Sequence, residues 1–153
     1  MDRELRREII IDNYENPTNK VKISDEIINK ERFIKINTNS ESCIDNVDLF
    51  VKIDNDIITD LYFDGEACAI STSATSIMIK MFLGKDIKEA QLIIDNYYNM
   101  IEEKDYDESI LEELNAYVDI SKQPNRKKCA MLPFNALLKA IDVYKKNKNL
   151  SNW

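Results

Sequence analysis

Two periodicities divide this chain into blocks. Across Asp2–Tyr14, Leu5, Ile9 and Ile10 share one face of a helix with acidic residues near its start, and Pro17 ends it. Val21–Glu31 follows neither period and reads as a mobile connector. Alternation then takes over. "RFIKINT" sets Phe33 and Lys35 against Ile34 and Ile36, and "VDLFVKID" and "IITDLYFD" follow with only Asn55–Asp56 between them. A two-residue polar turn between β-rich runs reads as a hairpin. Beyond Cys68 the period becomes helical. Ile70, Ala74, Ile77, Met78 and Met81 form one stripe in Ala69–Leu83, which Gly84 closes. Asp86–Glu103 repeats the pattern and Glu108–Val118 is a shorter helix. The last helix places Pro133 in its first turn and stripes Leu132, Ala136, Leu137, Ala140, Ile141 and Tyr144. Residues from about 147 to 153 read as a frayed tail. Strands followed by helices predict an α+β fold, a small three-stranded antiparallel sheet with helices packed on one face, in a single domain over residues 1–153.

The length suffices for a core that needs no disulfide staples. A net charge of −7 and a pI near 4.7 argue against a general nucleic-acid binder. The N-terminus has no apolar signal-peptide region, and no apolar run is long enough to span a bilayer. The chain is therefore expected in the cytoplasm, with no membrane partner. Three cysteines cannot all pair internally, and in a reducing compartment they stay thiols.

Candidate chemistry gathers at those cysteines. Cys43 lies in "SESCIDN", a polar loop between the first two strands, with Asp45 two residues on. Cys68 lies in "GEACAISTS", between the third strand and the helix after it. Cys129 lies in "NRKKCAML", just before the last helix. A lone free cysteine is most often a small buried hydrophobe. Three at element ends with polar neighbours, none inside an apolar stripe, do not fit that description. Helix N-termini favour the thiolate at Cys68 and Cys129, and Arg126, Lys127 and Lys128 push Cys129 the same way. With Asp45 the set is three thiolates and one carboxylate. Zinc accepts such a set, and iron–sulfur clusters also take thiolates. The chain has no histidine, so a carboxylate is the natural fourth side-chain ligand. The spacing is too wide for a zinc ribbon or finger. These residues point to a metal or cluster site without naming a function.

The same residues resemble the motifs of the IscU/SufU family of iron–sulfur cluster assembly proteins, the family of the NifU N-terminal domain. Cys43–Ile44–Asp45 is similar to the family's C-G-D loop, "FDGEACAISTSATSIM" to its second cysteine motif, and "RKKCAMLPFNAL" to its third. "LRREIIIDNYENPTNK" resembles the N-terminal helix and its N-P-x-N exit. The resemblance spans nearly the whole chain. It is closest to the SufU branch, because Lys128 stands where the IscU branch has histidine, the L-P-P-V-K motif is missing, and the Cys68–Cys129 interval is long. Ile44, Ala67 and the Pro133–Phe134 pair depart from the family pattern.

The resemblance implies a SufE/NifU-like fold and a zinc ion held by Cys43, Asp45, Cys68 and Cys129. It implies a sulfurtransferase-like carrier that takes persulfide sulfur onto Cys43 from a SufS-type cysteine desulfurase and passes it to a SufB–SufC–SufD scaffold. Arg126 is a candidate polar partner for Asp45 or for the docked protein. The alternatives are a [2Fe–2S] scaffold of the IscU type and a thiol-bearing domain whose zinc is structural only.

Overall fold

A computed structural model of the chain describes residues 1–38 and 45–151. Three antiparallel strands, β1 (Ile34–Asn37), β2 (Asn46–Asp54) and β3 (Ile57–Glu66), form a sheet in chain order. The helices are α1 (Arg3–Glu15), α2 (Asp25–Glu31), α3 (Ala69–Phe82), α4 (Ile87–Ile101) and α5 (Pro124–Ser151), with two 3-10 segments, Glu108–Ile110 and Glu112–Lys122, before α5. This is the expected α+β fold.

Asn55 and Asp56 join β2 to β3 with φ of 51° and 65°. Both central residues are left-handed, as in a type I′ hairpin, whose twist matches that of the strands. The register pairs Leu49 with Phe63 and Val51 with Leu61. All four are buried on the face that joins the hydrophobic core of α3, α4 and α5. Tyr97, Phe134 and Tyr117 fill the middle of that core, with the Tyr97 and Phe134 rings 4.6 Å apart. Gly65 sits opposite Val47 at φ +126°, and a Cβ there would lie 2.1 Å from the Asn46 carbonyl oxygen. Only glycine fits so close an approach. The free edge of β3 is covered by short pairings: Phe63 bonds Asn19 and Val21, and Ile58 bonds Gly84 and Lys85.

α3 is buried on nearly every side rather than along one stripe. Its hydroxyls are satisfied inside the fold: Ser76 donates to Asn13 Oδ1 at 2.8 Å, Thr75 donates to the Ser71 carbonyl at 2.7 Å, and Ser73 Oγ lies 2.6 Å from Tyr117 Oη.

Several expectations change. The stretch Val21–Glu31 contains α2, whose N-cap Ser24 accepts a hydrogen bond from the Ile27 amide. The last helix begins at Pro124, not near Pro133. Proline suits a first helical position, and Pro124 occupies it, leaving Pro133 in the interior. The same helix runs on through the expected frayed tail as far as Ser151.

Candidate metal centre

Asp45 immediately precedes β2 and is 1% exposed. A bare carboxylate so deep costs several kcal/mol, about what an unpaired buried charge commands, unless donors meet it. Two do. The Cys68 amide donates to Oδ1 at 2.7 Å and the Ser71 hydroxyl donates to Oδ2 at 2.6 Å. Cys68 is the N-cap of α3, as its position at the strand-to-helix corner predicts, and its Sγ accepts from the Ser71 amide at 3.4 Å. The helix thus begins with a sulfur facing its own unpaired N–H groups.

Cys129 differs from its expected setting. It lies in the second turn of α5, five residues after Pro124, and not at the helix start. It is 8% exposed and belongs to the hydrophobic core. The reason is the early start of α5, which carries Cys129 past the end where the helix field acts. Of the basic run before it, Lys127 pairs with Glu102 at 3.6 Å. Arg126 is exposed in the first turn of α5 and lines a surface groove beside α1.

The fold brings Asp45, Cys68 and Cys129 together from three separate segments. One carboxylate oxygen and the two sulfurs all lie within 4.8 Å of one another. Cys43 and Ile44 lie outside the described residues. Zinc–ligand bonds of about 2.0–2.3 Å put one ion within reach of all three atoms after small side-chain adjustment. Two sulfurs and a carboxylate are an ordinary zinc donor set, so the residues present fit the ion.

Ser71 carries little signal in the sequence. It stands three residues after Cys68, where a capping helix turns its side chain back toward the cap. The one signal available was that spacing. Its hydroxyl also lies 3.1 Å from the Cys129 carbonyl oxygen. That carbonyl has no helical donor four residues on, because Pro133 has no N–H.

The family model described as the NifU-like N terminal domain matches residues 5–151. The chain belongs to that family. Among its relatives, the zinc-dependent sulfurtransferase SufU of Bacillus subtilis is 38% identical over 138 residues, covering 90% of this chain and 89% of that protein. The iron–sulfur cluster assembly scaffold protein IscU of Streptococcus pyogenes is 35% identical over 107 residues, covering 69% of this chain and 67% of that one. A solved SufU structure from Fervidobacterium islandicum, described as a cluster assembly scaffold for the SUF system, superposes with a TM-score of 0.74 at 33% identity, covering 85% of this chain and 91% of that one. The NifU-like N-terminal protein of Brucella abortus shares the fold at a TM-score of 0.77 and 18% identity, over 90% of this chain and 92% of that one. Among the described residues, no helix of this NifU-like domain is long and apolar enough to cross a membrane.

Proposed function

We propose that the chain is a zinc-dependent sulfur-transfer protein of iron–sulfur cluster assembly, acting in the cytoplasm as one domain over residues 1–153. The observation that carries this reading is the convergence of Asp45, Cys68 and Cys129 within 4.8 Å. It is supported by 38% identity to a relative named as a zinc-dependent sulfurtransferase. Cys43, two residues before Asp45 in the sequence, completes the donor set. When bound there, zinc keeps thiolates deprotonated and, as a d¹⁰ ion, tolerates exchange of one ligand.

Cys68 and Cys129 are anchored to helices and hold the ion. Asp45 is kept in place by the Cys68 amide and the Ser71 hydroxyl. Cys43 is the acceptor. Its thiolate attacks the terminal sulfur of a persulfide on a SufS-type cysteine desulfurase. One S–S bond forms on Cys43 and the donor's S–S bond breaks. The electron pair leaves with the donor cysteine as a thiolate, so the step needs no outside oxidant or reductant. The sulfur then passes to a SufB–SufC–SufD scaffold.

A [2Fe–2S] scaffold role is the second reading, favoured by the match to IscU. The wider cover of the SufU match and Lys128 in place of a histidine favour zinc. Elemental analysis and the visible spectrum of the purified protein separate them: zinc with no visible band is expected, and iron with a cluster spectrum would favour the scaffold. The test of transfer is a desulfurase assay with cysteine, followed by mass spectrometry under non-reducing conditions. The added sulfur is expected on Cys43, and Cys43→Ser should stay folded, keep much of its zinc and accept none. Sulfur found first on Cys68 or Cys129, with Cys43→Ser still active, would overturn the mechanism.

A further inference from the structure

The chain has five arginines, and four of them, Arg3, Arg6, Arg7 and Arg126, line one groove of about 340 Å³ between α1, the 3-10 segment Glu112–Lys122 and the start of α5. In a chain of net charge −7 whose other cations are almost all lysines, this is a local reversal of sign. Arginine is also the residue suited to bidentate pairing with carboxylates, which a lysine point charge does not match. Arg6 is already engaged: it donates to Asp119 at 2.9 Å and to the Met1 carbonyl. Arg3, Arg7 and Arg126 are exposed on the rim. The floor is apolar, with Ile10, Ile70 and Ile120, and Ile11 on α1 remains 41% exposed.

Two of the residues lining the groove are close in sequence to candidate ligands. Ile70 lies two residues after Cys68, and Arg126 lies one turn before Cys129 on α5. A segment seated here would rest against the starts of α3 and α5, the helices that position Cys68 and Cys129.

We propose that this groove docks an acidic segment of the sulfur-donating protein, one that lays an apolar side chain on the isoleucine floor and sets its carboxylates against Arg3, Arg7 and Arg126. Charge complementarity selects an acidic occupant, and the apolar floor selects a protein segment over a nucleic acid. Nucleic acid is also disfavoured by the acidic remainder of the surface. The identity of the partner rests on the sulfur-transfer reading above.

The experiment measures binding of a SufS-type cysteine desulfurase to the zinc-loaded protein by calorimetry, for the wild type, for Arg3→Glu/Arg7→Glu, and for Lys145→Glu/Lys146→Glu. The second variant makes the same charge change on α5 twenty residues beyond Arg126, about 30 Å along the helix. Arg3→Glu/Arg7→Glu should weaken binding roughly tenfold or more and flatten its salt dependence, with zinc content and Tm unchanged and sulfur transfer restored at saturating protein. The lysine variant should bind as the wild type does. Equal weakening in both variants, or in neither, overturns the groove, as does a wild type that does not bind the desulfurase or prefers a single-stranded oligonucleotide at the same site. A wild type that binds through the groove but takes up no sulfur sinks the transfer reading and leaves the groove standing.

Discussion

At the scale of single residues, Ser71 is the joint of the candidate metal centre. One hydroxyl has one proton to give, and two acceptors face it: Asp45 Oδ2 at 2.6 Å and the Cys129 carbonyl at 3.1 Å. The shorter contact, to a carboxylate, takes the larger share. Ser71→Ala removes that donor from a buried carboxylate, so stability should fall by about 1–3 kcal/mol. A group that orients a ligand typically matters about 10–100-fold in metal affinity. Zinc transfer to a competing chelator should therefore be correspondingly easier for Ser71→Ala, and Ser71→Thr should recover most of the difference. Unchanged zinc retention in the alanine variant would make Ser71 a packing residue only. Pro133→Ala is the contrasting change. It gives the Cys129 carbonyl a backbone donor and removes an interior proline, so Tm should rise while zinc retention stays the same.

At the scale of elements, the β2–β3 hairpin is tied to the end of α5. Tyr144 donates to Asp56 Oδ1 at 2.8 Å and Lys148 donates to the same oxygen at 3.0 Å. The Asp56 amide donates back to Tyr144 Oη at 2.9 Å. The Tyr144 hydroxyl, followed by Lys148, holds the Asp56 carboxyl below its ordinary value of 3.8. A lowered carboxylate stabilises the fold fully above its unfolded value, and that contribution is lost as pH falls through the folded one. Asn at position 56 keeps the left-handed turn and removes only the charge. The Tm of the wild type should exceed that of Asp56→Asn by a constant margin near neutral pH, and the margin should close as pH falls below about 3.8. A margin that does not change with pH would mean that the turn, not the charge, holds the latch. This region also shows what the sequence made legible. The hairpin was readable because Asn55–Asp56 is a local signal with one favoured conformation. α2 is not legible, because its seven residues are too short to show a period, although Ser24 marks its start. The start of α5 is ambiguous in the sequence, because two prolines compete for one first turn and the tertiary contact at the Cys129 carbonyl that tolerates Pro133 inside the helix is not visible there. The place of Cys68 is legible from its corner, whereas the depth of Cys129 depends on the helix start and is hidden with it.

At the scale of the whole molecule, the candidate ligands come from parts of the chain that are far apart in sequence: the entry to β2, the start of α3 and the second turn of α5. An ion bound by all three cross-links the sheet to the two helices that cover it. Binding to the folded state alone stabilises it by about 2.7 kcal/mol at a free metal concentration a hundred times Kd. For a chain of this size each kcal/mol moves Tm by about 2–4 °C. Unlike a zinc finger, the domain has a large apolar core of Tyr97, Phe134, Tyr117 and the sheet residues, so the ion is expected to add to the fold and not to create it. Stripping the metal with a chelator should therefore lower Tm by roughly 5–10 °C and leave the helical circular dichroism at 25 °C intact, with full recovery on adding one equivalent of zinc. Cys68→Ala should start at the lower Tm and gain little from added zinc. Loss of helical signal in the stripped protein would show that the core is not self-sufficient. A Tm indifferent to the metal in the wild type would show that Asp45, Cys68 and Cys129 do not share an ion, and the proposed function would lose the observation on which it stands.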